Sequence, residues 1–433
     1  MTSQAHEAER FAREHLTVTR RFFLQLGAAG AGALTFFPEP ASGDVSSDAL
    51  PDALHEAVAT LQYLTPPNQF QIVSRGNPRP DQLSAEKRRE VGLDRETWTL
   101  EVVADPESDA RLDNPLTRER GTALNWDALM KLAETRAVRY FKAMTCTNVG
   151  QPLGMGLWEG VPLRDVVWLA RPVENVRRVF YYGYHNDDPA QRFQSSLPIG
   201  RVLEDPPGEL PVILCYKLND QWLAPENGAP VRMIVPDLYG NKSVKWLQRI
   251  VLTNRFPSND TYAEWNNDTE SHAKTYARFL QVPNPVPIGQ PIPVTGVAQV
   301  GMSGLSRVQV WLQREGEVAA ADDPHFQQAA WQDAIVLPPP EHWGGGIADD
   351  RVSAVPNQLD PRTGRPVQWP LRDTLVHWAI LLQDVPPGKH TLRCRTIDAN
   401  GLAQPLPRPF PKGGANQIQA VPCEVRVSAD PAN

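Results

Sequence analysis

The 433-residue chain has only four cysteines, and it lacks the cysteine clusters that indicate a metal or disulfide framework. Their spacing matches no zinc motif, no iron–sulfur motif and no Cys-x-x-Cys-His haem attachment, and four are too few for a disulfide scaffold at this length. Cys394 and Cys423 lie in strand-like runs near the C-terminus. They permit two interpretations, a disulfide in an oxidising compartment or two buried thiols.

The sequence also lacks a basic block, aromatic–basic interleaving and internal repeats. Because the net charge is −7, we expect no nucleic-acid partner. No apolar run beyond the N-terminal region is long enough to cross a bilayer. Proline and glycine are abundant, with 42 and 29 residues, and 41% of the chain is hydrophobic. This composition predicts many short strands and turns instead of long helices or disorder.

Residues 1–43 are predicted to be an export signal and linker. The segment Thr19-Arg20-Arg21-Phe22-Phe23-Leu24 precedes an Ala/Gly-rich apolar run that ends at Phe37. That run has about 16 residues, against roughly 20 needed to span a membrane, and a charged region before a short apolar region is typical of a signal. The paired arginines resemble the twin-arginine type, which carries folded proteins. A membrane anchor or a core helix is the alternative; we expect an exported, periplasmic protein that is not transmembrane after signal removal.

The rest of the chain predicts an α+β fold in two domains. Residues 44–280 mix short helices with strands in a largely antiparallel or mixed sheet. Residues 281–293 carry five prolines in thirteen positions, which marks a stiff, extended boundary. Residues 281–433 repeat strand-like runs separated by turns, as in an immunoglobulin-like β-sandwich. The insert Pro338–Gln368, rich in Pro, Gly and Asp, is predicted to be a long surface loop.

Cys146 follows directly on an alternating strand-like run over residues 137–144. A thiolate is a soft ligand, and a cysteine at a strand end is exposed enough to bind a metal. The alternatives are a small buried residue and a nucleophilic Cys–His pair, although no histidine lies nearby in the sequence.

Residues 228–250 are the most informative segment of the chain. A strand-prone run is stopped by Pro236, and a turn then presents Asn-Lys-Ser at residues 241–243. Such a turn offers backbone N–H groups and an ammonium charge to an anion, or it is a surface turn. The segment closely resembles a signature of the sulfite oxidase family. The order of Cys146, residues 158–166, 195–198, 216–220 and 228–250 is similar to that family throughout, from about Tyr63 to Val427.

The resemblance implies a molybdopterin cofactor bound to molybdenum, with Cys146 as the protein's metal ligand. Tyr216 matches the active-site tyrosine of the family, and a tyrosine that ends a strand is the alternative. Arg75 lies close to an arginine position of the family. The resemblance therefore implies Cys146, Tyr216 and Arg75 as catalytic residues.

The resemblance also assigns five cofactor-binding residues. Lys242, Ser243 and Lys245 match the segment that embraces the pterin, and a buried pterin phosphate needs cations and N–H donors. Arg232 is expected to help, with a solvated strand residue as the alternative, and His185 lies where the family contributes pterin contacts.

The sequence departs from the sulfite-oxidising members in having fewer arginines. The segment after Cys146, residues 149–156, contains none, and neither does the region near His377. A pocket with fewer cations binds a dianion less tightly, because each charge-assisted hydrogen bond contributes roughly 1.5–3 kcal/mol.

The resemblance implies an oxidoreductase that transfers an oxygen atom in a two-electron reaction on a small substrate that contains sulfur. Because no haem or iron–sulfur motif is present, the electrons are expected to pass to a separate carrier such as a cytochrome. The sandwich domain resembles the family's dimerisation domain, which implies a homodimer. Two other functions remain open: a reductase of sulfoxide-like substrates, and an exported binding or scaffold protein without a cofactor.

Overall fold

The computed structural model describes residues 50–185, 192–206, 208–257, 259–318, 320–348, 352, 355 and 357–426. These residues belong to one compact unit that begins at Val45. The predicted export signal over residues 1–43 lies outside the described residues.

The helices of the described residues are short, and polar side chains cap several of them. Ser84, Asn125 and Asp260 each accept a hydrogen bond from a backbone N–H of the first turn of the helix that follows. None of the helices in the described ranges combines the length and apolar character needed to cross a membrane. The α-helices are α1 (Asp52–Ala59), α2 (Ala85–Glu90), α3 (Trp126–Arg136), α4 (Leu163–Leu169), α5 (Ile199–Leu203) and α6 (Thr261–Glu264).

Strands dominate the architecture, as the proline and glycine content predicts. The N-terminal part of the chain contributes β1 (Thr99–Ala104), β2 (Leu124–Asn125), β3 (Val138–Thr145), β4 (Pro152–Pro162), β5 (Arg178–Gly183), β6 (Gln194–Pro198), β7 (Ile213–Leu218), β8 (Gln221–Trp222), β9 (Arg232–Ile234) and β10 (Leu247–Thr253). The C-terminal part contributes β11 (Tyr276–Gln281), β12 (Val286–Pro287), β13 (Ile292–Gln299), β14 (Arg307–Arg314), β15 (Gln332–Val336), β16 (Leu375–Leu382), β17 (Gly388–Ile397) and β18 (Gln419–Arg426).

Two mixed or antiparallel sheets form the N-terminal part. One has the order β2-β1-β10-β5-β6, with β1 and β10 parallel. The other has the order β3-β4-β7-β8, and β9 pairs with β7. The alternating run before Cys146 is β3, as predicted, and it ends one residue before the cysteine. This sheet therefore delivers the Cys146 thiol at a strand end.

The C-terminal strands form one eight-stranded sheet with the order β11-β13-β16-β15-β14-β17-β18-β12. Strand β15 pairs with both β14 and β16, and β11 packs against β17 and β18 from the other half. The apolar side chains of both halves share one core. This is a β-sandwich, and the predicted α+β fold class is confirmed. Its first strand begins at Tyr276, shortly before the predicted boundary.

Two segments outside the sheets pack against the cores of the molecule. The prediction that the insert Pro338–Gln368 is a surface loop is wrong. Its side chains Trp343, Ile347 and Leu359 are buried in the core around β3 and β4. The Gln358 side chain also bonds both backbone groups of Phe141 on β3, at 2.7 and 3.0 Å. Helix α1 packs on β13 and β16 of the sandwich through a small apolar cluster.

Candidate active site

A cavity of about 320 Å³ lies at the end of β3 that carries Cys146. Its wall includes residues 70–75, the turn after β3, residues 240–241 and 243–246, helix α6 with Trp265, and Lys412 from the sandwich domain. Its size falls in the range of about 300–1,000 Å³ that is typical of small-molecule and cofactor sites. Six residues assigned from the sequence line it: Arg75, Cys146, His185, Arg232, Ser243 and Lys245.

Cys146 is half-buried in the wall of this cavity, and both domains fix its backbone. Its Sγ donates to the Asn148 Oδ1 at 2.7 Å. The preceding Thr145 accepts the Gly240 N–H at its carbonyl, at 2.7 Å, and its hydroxyl donates to the Gln299 amide oxygen of the sandwich domain. Among the described residues, no three His, Cys, Asp or Glu side chains gather as a metal site. The thiol is accessible and held in place, as a metal ligand requires.

Tyr262 on α6 is the tyrosine that faces Cys146 across this cavity. Its hydroxyl lies 2.6 Å from the Thr147 Oγ1. Burial raises the pKa of Tyr262 to about 12, and the charge of the Cys146 thiolate acts in the same direction. The Tyr262 phenol therefore stays protonated at neutral pH, so that its hydroxyl can donate a hydrogen bond.

Two cations, Arg75 and Lys412, stand at the rim of the cavity around the Trp265 ring. The Arg75 guanidinium carbon lies 4.7 Å from the ring centroid and the Lys412 Nζ lies 5.1 Å from it, within cation–π distance. Gly76 follows Arg75 and has a φ of +98°. A Cβ at this position would lie 2.5 Å from the His185 carbonyl oxygen. Only glycine fits this close approach.

His185 lies buried beside this turn. Its ring Nδ1 is 3.0 Å from the Gly183 carbonyl oxygen, and burial lowers the pKa of His185. The imidazole is therefore neutral at pH 7, and His185 lines the cavity.

Two further cations, Arg232 and Lys245, face the interior of the cavity without a carboxylate partner. Arg232 is buried and donates to the carbonyls of Asn227 and Ser243, at 2.9 and 2.8 Å, while its Nε has no partner among the described residues. Lys245 donates to the carbonyls of Glu226 and Val73, at 2.6 and 3.1 Å.

Burial lowers the pKa of Arg232 to about 10, and burial with the Arg232 charge lowers the pKa of Lys245 to about 7. Unpaired buried cations are costly unless an anion compensates them. The pair therefore fits an anionic group bound in the cavity.

Lys242 does not line the cavity, and its placement corrects the expectation that it binds the cofactor. Its Nζ donates to the Ser196 carbonyl at 2.9 Å and lies 3.2 Å from the Asp260 Oδ2, in a pair whose side chains are 2% and 0% exposed. Asp260 caps α6, the helix that carries Tyr262. Lys242 therefore supports the site from behind, whereas the hydroxyl of the next residue, Ser243, accepts the Val235 N–H at 3.1 Å.

Tyr216 is also outside the cavity, which corrects its assignment as the active-site tyrosine. It lies in β7, buried, with its ring 6.4 and 5.9 Å from the rings of Trp126 and Trp222. Burial, and then the Glu159 carboxylate, raises the pKa of Tyr216. Tyr216 is the buried strand tyrosine that the sequence left open as an alternative.

The sequence interpretation missed Asn148, Tyr262, Trp265 and Lys412. Asn148 lies two residues after Cys146, so the strand end itself is the signal that points to it. Tyr262 and Trp265 belong to a helix of four residues and its cap, which is too short for a periodic pattern. Lys412 comes from the other domain, and no local pattern predicts its position.

A family model matches the part of the chain that contains most of this cavity. Residues 89–261 match the family model described as Oxidoreductase molybdopterin binding domain. This part of the chain is an oxidoreductase domain of the class that binds the molybdenum cofactor.

Known proteins are similar to parts of this chain. A stretch of 112 residues is 35% identical to a nitrate reductase (NADPH) of Pichia angusta, and covers 26% of this chain and 12% of that protein. Another stretch, of 105 residues, is 35% identical to the mitochondrial sulfite oxidase of Drosophila melanogaster, and covers 24% of this chain and 18% of that protein. The chain thus spans less than a fifth of the length of these curated relatives. The sulfane dehydrogenase SoxCD of Paracoccus pantotrophus has a similar fold, with a TM-score of 0.52 at 17% identity over 78% of this chain and 79% of that one.

The residues of the cavity fit the molybdenum cofactor. Arg232 is buried, with an Nε that has no partner in the described part of the chain, and Lys245 is half-buried. Neither cation has a carboxylate partner among the described residues, so both suit the phosphate of the pterin. Asn241 also leaves its Oδ1 unpartnered at the cavity wall. The Cys146 thiol would supply the soft ligand that the metal needs. These residues would hold the group.

Proposed function

We propose that the chain is a molybdenum-cofactor oxidoreductase of the sulfite oxidase type, acting on a small, anionic substrate that contains sulfur. In the reaction, water provides one oxygen atom to a lone pair of the substrate, two protons are released, and two electrons pass to a separate carrier such as a cytochrome. When bound, the cofactor supplies two-electron redox chemistry with oxygen-atom transfer. The relatives named for sulfite and sulfane support a sulfur substrate.

The observation that carries this proposal is the charge of the Cys146 cavity. Four cations line it, Arg75, Arg232, Lys245 and Lys412, and none of the lining residues in the described part of the chain is acidic. The two inner cations suit the cofactor, whereas the two at the rim remain for the substrate. A molybdenum site that converts an oxyanion needs cations that attract this anion to the metal. The rim of the cavity offers such cations beside the Cys146 thiol.

The chain's own residues would divide the remaining work. Arg75 and Lys412 bind and orient the anion beside Trp265, and the protonated Tyr262 donates a hydrogen bond to its oxygen. Two rim cations from two domains replace the larger arginine set expected for sulfite. This favours a substrate with less charge than a compact dianion.

We also propose export and dimerisation. The paired Arg20 and Arg21 before an apolar run support a twin-arginine signal and a periplasmic location. The sandwich domain supports a homodimer by analogy of fold alone.

Elemental analysis of the purified chain, combined with a redox substrate screen, tests the proposed function. We expect about one molybdenum per chain, and oxidation of a sulfur substrate with an artificial acceptor. Reduction of sulfoxides without sulfur oxidation would instead support the reductase. A well-folded protein without molybdenum, purified from cells that make the cofactor, would support a binding protein.

Substitution of the rim cations should weaken substrate capture. Lys412→Met and Arg75→Met each remove one charge-assisted contact, worth roughly 1.5–3 kcal/mol, so we expect kcat/KM to fall about 10- to 150-fold. Steady-state kinetics on the substrate found in the screen measures this. Lys389→Met, an exposed lysine of the same domain, is the matched control and should stay within about twofold. Unchanged kinetics in both rim variants would remove the anion site.

The two tyrosines should respond in opposite ways. Tyr262→Phe removes the hydroxyl that faces Cys146, so we expect kcat to fall by about 10-fold or more. Tyr216→Phe changes a ring outside the cavity, and its kcat should stay close to that of the wild type. Measuring kcat of both variants decides which tyrosine acts in the active site. A fall in kcat confined to Tyr216→Phe would restore the assignment made from sequence.

Removal of an inner cation should release the cofactor. Lys245→Met deletes a charged donor to the proposed phosphate, so we expect affinity for the cofactor to fall about 10- to 150-fold. Molybdenum and pterin content after dialysis measures this, and Lys412→Met should retain both.

The pH dependence of stability provides a second measurement on the protein without cofactor. Because the pKa of Lys245 is about 7 when folded and 10.5 as its ordinary value, the unfolded chain binds more protons between these pH values, and stability rises with pH there. The Lys245→Met variant lacks this contribution. Its stability relative to the wild type should therefore decline between pH 7 and pH 10, and a difference independent of pH would contradict the buried charge.

A further inference from the structure

The structure holds a second cavity, of about 540 Å³, on the other side of the loop that follows Cys146. Residues 149–154 form one part of its wall, residues between Thr60 and Thr65 form a second part, and the sandwich strands β11, β13, β16 and β18 form the rest. Among the described residues, Leu153 alone lines both this cavity and the one that contains Cys146. The second cavity is thus a separate space that shares a wall with the active-site cavity.

The sandwich wall presents a row of three side chains. Arg278 on β11 pairs with Val297 on β13, and Val297 pairs with His377 on β16. Opposite residues of antiparallel strands project to the same face of a sheet. Arg278 and His377 therefore flank Val297 on the face that borders the cavity, and all three line it.

Each polar member of this row has a nitrogen without a hydrogen-bond partner among the described residues. The half-buried Arg278 guanidinium makes no hydrogen bond or ion pair with any residue that the structure describes. His377 is 6% exposed, and its Nδ1 is buried without a partner in the described chain. A buried polar nitrogen is normally satisfied. The cavity wall thus combines a buried histidine with an unsatisfied nitrogen and an arginine without a described protein partner, and this combination points to a ligand.

The rest of the lining selects the charge of that ligand. None of the described residues around the cavity is acidic, and the polar ones are amides and hydroxyls, such as Gln62, Thr65 and Gln151. An arginine fork binds a carboxylate or a sulfate in a bidentate manner. An imidazole N–H adds a third donor. An oxyanion matches these donors, whereas a cation has no acidic ligand here.

We propose that this cavity is a second binding site, specific for a small oxyanion of the carboxylate or sulfate type held by Arg278 and His377. A Cβ at position 150 would lie 2.3 Å from the Arg278 Nη2, so Gly150 lets the guanidinium lie against the loop that carries Cys146. An anion bound to Arg278 would therefore lie beside the loop that follows Cys146. The site is independent of the proposed catalytic function, because it needs neither the cofactor nor the thiol.

Isothermal titration of the full chain tests the site, with sodium sulfate in one arm and sodium acetate in the other, at an ionic strength fixed by chloride. We expect Arg278→Gln to weaken binding of the preferred anion at least about tenfold. Arg307→Gln, an exposed arginine of the same domain, and Arg75→Gln, at the rim of the first cavity, should each leave one such site intact. The arm that shows the loss identifies whether the ligand is of the sulfate or the carboxylate type.

Crystals soaked in selenate give a readout independent of affinity. We expect anomalous density between Arg278 and His377, and no such density in Arg278→Gln crystals. Equal binding by the wild type and Arg278→Gln in both arms, or selenate confined to the cavity of Cys146, would overturn the proposal.

Discussion

Replacing Cys146 by serine is expected to abolish turnover while the cofactor stays bound. Serine keeps a donor for the Asn148 Oδ1, so the turn should fold as before, but its oxygen is a harder and poorer ligand for molybdenum. The loss of an outer partner of a metal typically costs about 10- to 100-fold, so the loss of the ligand itself should exceed about 100-fold in kcat. Kinetics together with molybdenum and pterin analysis measure both halves of this result.

The matched control is Cys423→Ser in the sandwich core. Its Sγ has only a long contact with the Pro283 carbonyl oxygen, at 3.9 Å, and both Cys423 and Cys394 are free thiols in the structure. We expect normal kcat from this variant. Full activity of Cys146→Ser would show that the thiol is not the ligand, whatever the metal content.

Replacing Lys242 by methionine is expected to destabilise the fold by about 3–5 kcal/mol, because a buried carboxylate loses its counter-charge. The Asp260 side chain is 0% exposed, and its oxygens also accept hydrogen bonds from the Ser196 Oγ and from two N–H groups of α6. Since α6 carries Tyr262, we expect kcat to fall as well. Urea unfolding of the cofactor-free protein measures the stability.

A second substitution separates charge from geometry. In Lys242→Met with Asp260→Asn, the uncompensated charge is gone but the amide oxygen still caps α6. We expect the double variant to recover part of the lost stability, as a coupled pair should. A Lys242→Met midpoint equal to that of the wild type would show that the pair has no net structural role.

The sequence predicted the parts of the site that depend on local order. The alternation in β3 placed Cys146 at a strand end, and the run stopped by Pro236 placed Ser243 and Lys245 in a turn at the cavity. It did not predict which way each turn residue points. Lys242 turns to Asp260, 18 positions later, and this choice depends on tertiary contacts that no local pattern contains.

Long-range assembly explains the other differences. Lys412 reaches the cavity from the sandwich domain, and the insert Pro338–Gln368 finds its core partners on β3 and β4. A strand pattern identified β7 correctly, but it did not show that Tyr216 lies among tryptophans away from Cys146. Which face of a strand meets a cavity is decided by the sheets that pack on it.

The docking of α1 on β13 and β16 has a consequence for biosynthesis. Leu54 leaves the ribosome early, whereas Leu337 and Ala379, which cover it, emerge about 300 residues later. Until then the apolar side of helix α1 has no native surface to pack on, and it is a natural contact for a chaperone. Helix α1 can therefore reach its final packing only after Leu337 and Ala379 have been synthesised.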